Sequence, residues 1–263
     1  MVDQVEIAVF ADASPRVRVI GMDRPWVWLA RGWEDMRRGA RVSLAWALIF
    51  VAIGAALIGS LAFFGLYGAI LPLAAGFPLM APVLVVGLYE VSRRVERGEP
   101  VDFKTPLAAW KRNAGQIGFF GFVLGFVLLA WIRIATLLFA WFFGTKSFDI
   151  VDFVSQVVLS GPNALFLVVG TVVGASFAVL VFAISVVSVP MLLDRDVNVF
   201  TAIATSWAVV RANPRPMLLW AVLIVLFTGA GLALALVGLV LTLPLVAHAT
   251  WHAYRETVAA DFT

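Results

Sequence analysis

Apolar positions along this chain gather into four long, continuous runs, and the charges collect in the segments between them. The runs cover 42–90, 117–143, 164–193 and 216–253. A helix rises about 1.5 Å per residue and needs about 20 residues to cross a hydrocarbon layer roughly 30 Å thick. The first run is therefore two crossings, near 42–66 and 73–89, folded back around Gly65, Gly68 and Pro72. The next two spans are 117–143 and 164–193. The last run reads either as one long tilted helix or as two short ones, 216–232 and 234–253, hinged at Gly229-Ala230-Gly231. Between the third and fourth spans, 146–160 alternates charges with Phe148, Val151, Phe153 and Val157, the pattern of a short helix lying on the membrane surface.

The basic residues decide between five spans and six. Seven arginines precede the first span, six basic residues fall between the second and third, Arg195, Arg211 and Arg215 follow the fourth, and Arg255 lies past the last run. With six spans, 17 of the 19 Lys and Arg share one side, Arg133 and Lys146 being the exceptions. Basic loops stay in the cytoplasm, so both termini are expected there, in a bacterial inner membrane. Five spans would move only Arg255 and its neighbours, and six is the reading adopted. The organisation expected is a cytoplasmic segment at 1–25, one membrane domain at 26–256 and a cytoplasmic tail at 257–263.

Composition agrees. The chain is 62% hydrophobic and 13% charged, against about a quarter charged in a soluble domain. The absence of cysteine excludes disulfides, thiolate metal sites and thiol nucleophiles. A sequence pI near 9.7 raises nucleic acid as a partner, but the basic residues flank apolar spans, where they set topology, so none is expected. No signal peptide is expected either, because Asp3, Glu6 and Asp12 interrupt the start.

A unit of one amphipathic helix and two spans is read three times. Its short helices are 26–38 with Trp33, 105–113 with Trp110, and 199–213 with Trp207; Pro82, Pro190 and Pro244 mark the second spans. Tryptophan and arginine would hold each short helix at the headgroup level. The fold class is therefore all-α: a polytopic bundle of about six spans with short interfacial helices and a possible three-fold helix-hairpin repeat.

Candidate chemistry is sparse. Arg133 lies inside the third span, sixteen residues from Ile117 and so about 24 Å along the helix. Burying its charge costs at least about 2.5 kcal/mol, so it is either a path or contact residue or an arginine reaching outward to Asp149 or Asp152. His248 and His252, four apart, share a helical face and could hold a metal, but position 249 is alanine and there is no other histidine. Beside Trp251, Tyr254 and Arg255 they read better as hydrogen-bonding anchors. Glu90 is set to pair with Arg94 one turn on. Glu34-Asp35 and Asp194-Arg195-Asp196 read as charged surface. Gly121/Gly125 and Gly170/Gly174 give spans three and four small faces for close helix approach. Gly144-Thr145-Lys146-Ser147 lacks the upstream glycine of a phosphate loop. No catalytic residue, cofactor or metal is expected.

Five segments together carry a resemblance. They are Trp28-Leu29-Ala30-Arg31-Gly32-Trp33-Glu34-Asp35; Pro82 with Gly87-Leu88-Tyr89-Glu90 and Ser92-Arg93-Arg94; Ser188 through Pro190 to Leu193-Asp194; Arg211-Ala212-Asn213-Pro214; and Leu243-Pro244 through His248, Trp251 and His252 to Tyr254-Arg255. Over roughly 20–256 the chain resembles a proteobacterial integral membrane family of unknown function, whose members are often labelled similar to cytochrome c oxidase subunit I. A catalytic oxidase subunit needs histidines on several helices, and two on one helix do not supply them. The resemblance implies a non-catalytic accessory or assembly partner of a respiratory complex such as a cytochrome oxidase, in contact with membrane lipids. The rival expectation is a transporter or channel for a small solute or lipid, since broken spans, repeats and intramembrane charge are features transporters use. A membrane enzyme ranks behind both.

Overall fold

The computed structural model describes residues 17–144, 152, 155, 161–234 and 236–259. The surface helix expected at 146–160 falls almost wholly outside these residues, as do residue 149 and most of the two terminal segments. Eleven helices are named here: α1 (Arg24–Arg38), α2 (Ala40–Phe63), α3 (Tyr67–Leu84), α4 (Val86–Glu96), α5 (Thr105–Arg112), α6 (Ala114–Phe143), α7 (Ala164–Ser185), α8 (Ser188–Asp194), α9 (Val199–Ala212), α10 (Pro214–Ala233) and α11 (Leu239–Thr257).

Among the described residues five stretches are long and apolar enough to cross a membrane: Ala40–Phe63, Pro72–Glu96, Ala114–Phe143, Ala164–Asp194 and Pro214–Ala233. The expected turn after the first lies at Phe64–Leu66, where Gly65 takes a φ of 71° that a side chain would strain. The second and fourth are broken helices. Pro190 has no N–H for the carbonyl of Val186 and its ring crowds that turn, and α7 gives way to α8 across Val186–Val187. α11 follows α10 after the turn at 234–238. Its 19 residues suffice for a crossing, but its second half carries His248, Thr250, His252, Arg255 and Glu256 and falls short in apolarity.

Burial explains that polarity. Only 6% of the apolar window of α6, and the same of α7, is buried, so lipid is their solvent. The buried side chains concentrate instead at one end, termed the base, where α1, α4, α5, α8, α9 and the second half of α11 interlock. Trp28, Leu88, Ile117, Phe120, Trp220, Trp251 and Tyr254 are fully or almost fully buried there. Helix α1 lies along α11 at Gly32, where an added Cβ would stand 2.6 Å from the backbone nitrogen of Ala249. A short antiparallel bridge, Val17 to Val258, ties the chain ahead of α1 to the end of α11.

The order of a short helix, a long apolar helix and a second apolar helix occurs three times: α1–α4, α5–α8 and α9–α11. In the latter two groups an asparagine joins the short helix to the long one with nearly the same backbone, Asn113 at φ −138°, ψ 54° and Asn213 at φ −128°, ψ 51°. Each donates through Nδ2 to a carbonyl just ahead of another group's short helix: Asn113 to Val197 at 3.2 Å, Asn213 to Arg18 at 3.0 Å.

The long helices form a horseshoe. α10 packs on α11, α11 on α2, α2 on α3, α3 on α6 and α6 on α7, while no comparable contact joins α7 to α10. Two of the three seams between groups, α11–α2 and α3–α6, are closed. The third is open.

Candidate functional site

The base is held by polar pairs that the chain brings together from far apart. α1 turns Trp28, Gly32, Asp35 and Met36 inward, a stripe at helical spacing. Asp35 is 6% exposed and accepts from His252 Nε2 at 2.8 Å, which corrects its expected place on a charged surface. Trp33, on the opposite face, is exposed. His248 is fully buried. Its Nε2 lies 3.0 Å from Ser43 Oγ and its Nδ1 2.8 Å from Ser92 Oγ, so both ring nitrogens are occupied and the residue links α11 to α2 and α4.

On α4 the buried Glu90 accepts two bonds from Arg93, both at 2.7 Å, and a third from the expected partner Arg94 at 3.1 Å. Trp251 Nε1 donates to Glu96 at 3.0 Å and Trp28 Nε1 to Glu256 at 2.7 Å. Arg24 pairs with Glu256 at 2.5 Å, and that hydrogen bond raises the arginine's pKa above its ordinary value. The Tyr254 hydroxyl donates to Asp194 at 2.9 Å. Asp194 also receives Arg255 and Arg97. Each of these groups is spent on another, so their chemistry is to clamp helices. Among the described residues no three His, Asp or Glu side chains group as metal ligands.

A different feature lies inside the horseshoe. Between α3, α6, α7, α10 and α11 is a cavity of about 1050 Å³, at the top of the range for small-molecule sites. Among the described residues no Lys, Arg, His, Asp or Glu side chain lines it. Val179, Val222, Val225 and Leu226 belong to its wall and are themselves exposed, so the space opens through the seam between α7 and α10 into the surrounding hydrocarbon. Pro72 and Phe166 line its far end; Tyr89, Ser185 and Thr250 line the end against the base. Trp131, donating to the carbonyl of Pro72 at 2.9 Å, braces the wall between α6 and α3.

Arg133 is exposed on α6, ten residues before the helix ends at Phe143. No hydrogen bond or ion pair joins it to another described residue. Trp141, 88% exposed, follows eight residues later, about 12 Å farther along the helix. The glycine faces divide: Gly174 sits against Trp131 and Gly121 near Val83, while Gly125 meets nothing. Of the candidates chosen from sequence, Asp35, Glu90, His248, Trp251 and His252 come together in the base, and Trp33 and Arg133 lie outside it. The partners missed were Ser43 and Ser92 around His248, Glu96 against Trp251, and Trp28 against Glu256. The inward stripe on α1 was readable at positions 28, 32, 35 and 36; the serines carry no pattern at all.

The fold defines a helical integral membrane protein. Residues 70–194, from α3 to the end of α8, match the family model described as Predicted integral membrane protein (DUF2189). No curated protein and no solved structure matches the chain.

Proposed function

We propose that this protein is a non-enzymatic membrane protein that holds the apolar chain of a lipid in the cavity behind the α7–α10 seam. The observation that carries the reading is the position of that space. The two other seams between helix groups are closed by direct helix contact, and the third presents about 1050 Å³ of uncharged volume to the bilayer. An apolar chain there replaces the helix contact the seam lacks, gaining dispersion contacts that an unfilled wall forfeits.

The same reading takes the threefold order of helices, with its matched Asn113 and Asn213 junctions, as an internal repeat. It takes α11 as a sixth crossing whose polar half is tolerated because α1 and α4 cover it. The basic residues then put the base and both termini in the cytoplasm of a bacterial cell. A lipid-holding role is nearer to the transporter alternative than to a solute channel, because the interlocked base closes the inner end of the cavity.

Substituting Ala178→Trp, on the cavity wall but exposed at the seam, is expected to fill the space without displacing a packed side chain. Native mass spectrometry of the protein released from nanodiscs should then show the one-lipid adduct reduced about tenfold or more relative to wild type. Equal adducts in both proteins would end the proposal.

The resemblance adds a second reading, an accessory partner of a respiratory oxidase, and one observation favours a protein partner. Arg133 stands on the lipid-facing side of α6, unpaired among the described residues and about 12 Å inward of Trp141. An intramembrane cation calls for a carboxylate on a neighbouring chain. Mild-detergent purification should recover oxidase subunits with the wild type and lose them with Arg133→Leu. Recovery of the chain alone from both would remove this reading and leave the lipid one untouched.

A further inference from the structure

We infer that the cavity selects a lipid with an uncharged, oxygen-bearing head, held by the hydroxyls of Tyr89 and Ser185; this rests on the reading that the cavity takes a lipid chain. Both residues line the end of the cavity nearest the base, and both are almost wholly buried, Tyr89 at 3% exposed and Ser185 at 2%.

Their hydroxyls differ from those of several lipid-embedded residues that bond to their own helix. A hydroxyl on a lipid-embedded helix usually donates to the carbonyl one turn back. Thr136 does so to Ile132 at 2.7 Å, Ser176 to Val172 at 2.8 Å and Thr250 to Val246 at 2.8 Å. Ser185 and Tyr89 have no such bond and none to any other described residue. Each is an unpartnered hydroxyl whose oxygen a guest in the cavity can still reach. Two at the closed end of one apolar cavity give it a polar floor with nothing of the protein's own to satisfy it.

The chemistry of that floor limits the guest. Two neutral O–H groups donate to an oxygen acceptor. With no cation among the described lining residues, a phosphate brought there would be left without a counter-charge, which is far more costly than an unpaired hydroxyl. Glu90, the neighbour of Tyr89 in the chain, is already held by Arg93 and Arg94. The guest is therefore a long apolar chain ending in carbonyl or hydroxyl oxygens. Prenylated quinones and diacylglycerols both have this chemistry, and anionic phospholipids do not.

Delipidated full-length protein offered equal amounts of a long-chain prenylated benzoquinone, a 1,2-diacylglycerol and phosphatidylglycerol, and read by native mass spectrometry, tests the assignment. The expected result is a one-to-one adduct with one or both uncharged lipids, exceeding that with phosphatidylglycerol about tenfold; which of the two dominates identifies the source of the shared chemistry. Tyr89→Phe and Ser185→Ala should each weaken that adduct about threefold to tenfold. Their lipid-free melting temperatures should equal or exceed that of the wild type, because neither hydroxyl has a protein partner to lose. Preference for phosphatidylglycerol, or adducts indifferent to both substitutions, overturns the head-group assignment while leaving a lipid-holding cavity. An adduct that persists in Ala178→Trp overturns the cavity reading beneath it.

Discussion

Replacing Arg93 by methionine is expected to destabilise the protein by about 3–5 kcal/mol, because it strips the principal partner from a buried carboxylate. The Glu90 side chain is 2% exposed and that of Arg93 5%, and the two share a forked pair of bonds, both 2.7 Å long. With the guanidinium gone, Glu90 keeps only the 3.1 Å bond from Arg94. The matched substitution Arg94→Met removes a weaker bond from a side chain that is 24% exposed, and about 1 kcal/mol or less is expected. Thermal unfolding in detergent should show Arg93→Met melting about 10 °C below wild type and Arg94→Met within a few degrees of it. Equal losses would mean that the buried fork has no special standing.

The second large effect is expected at Gly32. The ideal Cβ at this position lies 2.6 Å from Ala249 N, 2.9 Å from its Cα and 3.0 Å from its Cβ. Two of those atoms are backbone, so the clash cannot be relieved by turning a side chain. Gly32→Leu should lift α1 from α11, and with it separate Asp35 from His252 and Trp28 from Glu256. A loss of about 3 kcal/mol is expected, together with protease cutting within α1 that the wild type resists. Ala30→Leu, on the exposed face of the same helix, is the control and should change neither. Intact α1 in Gly32→Leu would show that this docking is not tight.

Much of the architecture could be read from hydrophobic run length alone, because a bilayer imposes a length on every helix that crosses it. The turn at Gly65 and the starts of α6, α7 and α10 fall within a few residues of expectation. The breaks at Val85 and Val186–Val187 do not show as gaps in hydropathy, since both sides of each break are equally apolar. The base pairs separate by range: Glu90 and Arg94 are four residues apart and were readable, whereas Asp35 and His252 are 217 apart, and Asp35 was assigned to a charged surface while His252 was read as an anchor of unspecified partner. The cavity was out of reach for another reason. It is made by α7 and α10 failing to meet, and an absent contact leaves no residue pattern behind.

The open seam also fixes how a guest would come and go. A molecule passing between α7 and α10 moves from one oil-like medium to another without ever dissolving in water. Its exchange is thus free of the aqueous desorption barrier that slows lipid transfer by soluble carriers. Filling of the site would then follow the mole fraction of the guest within the leaflet, making the protein a gauge of membrane composition rather than of any dissolved pool.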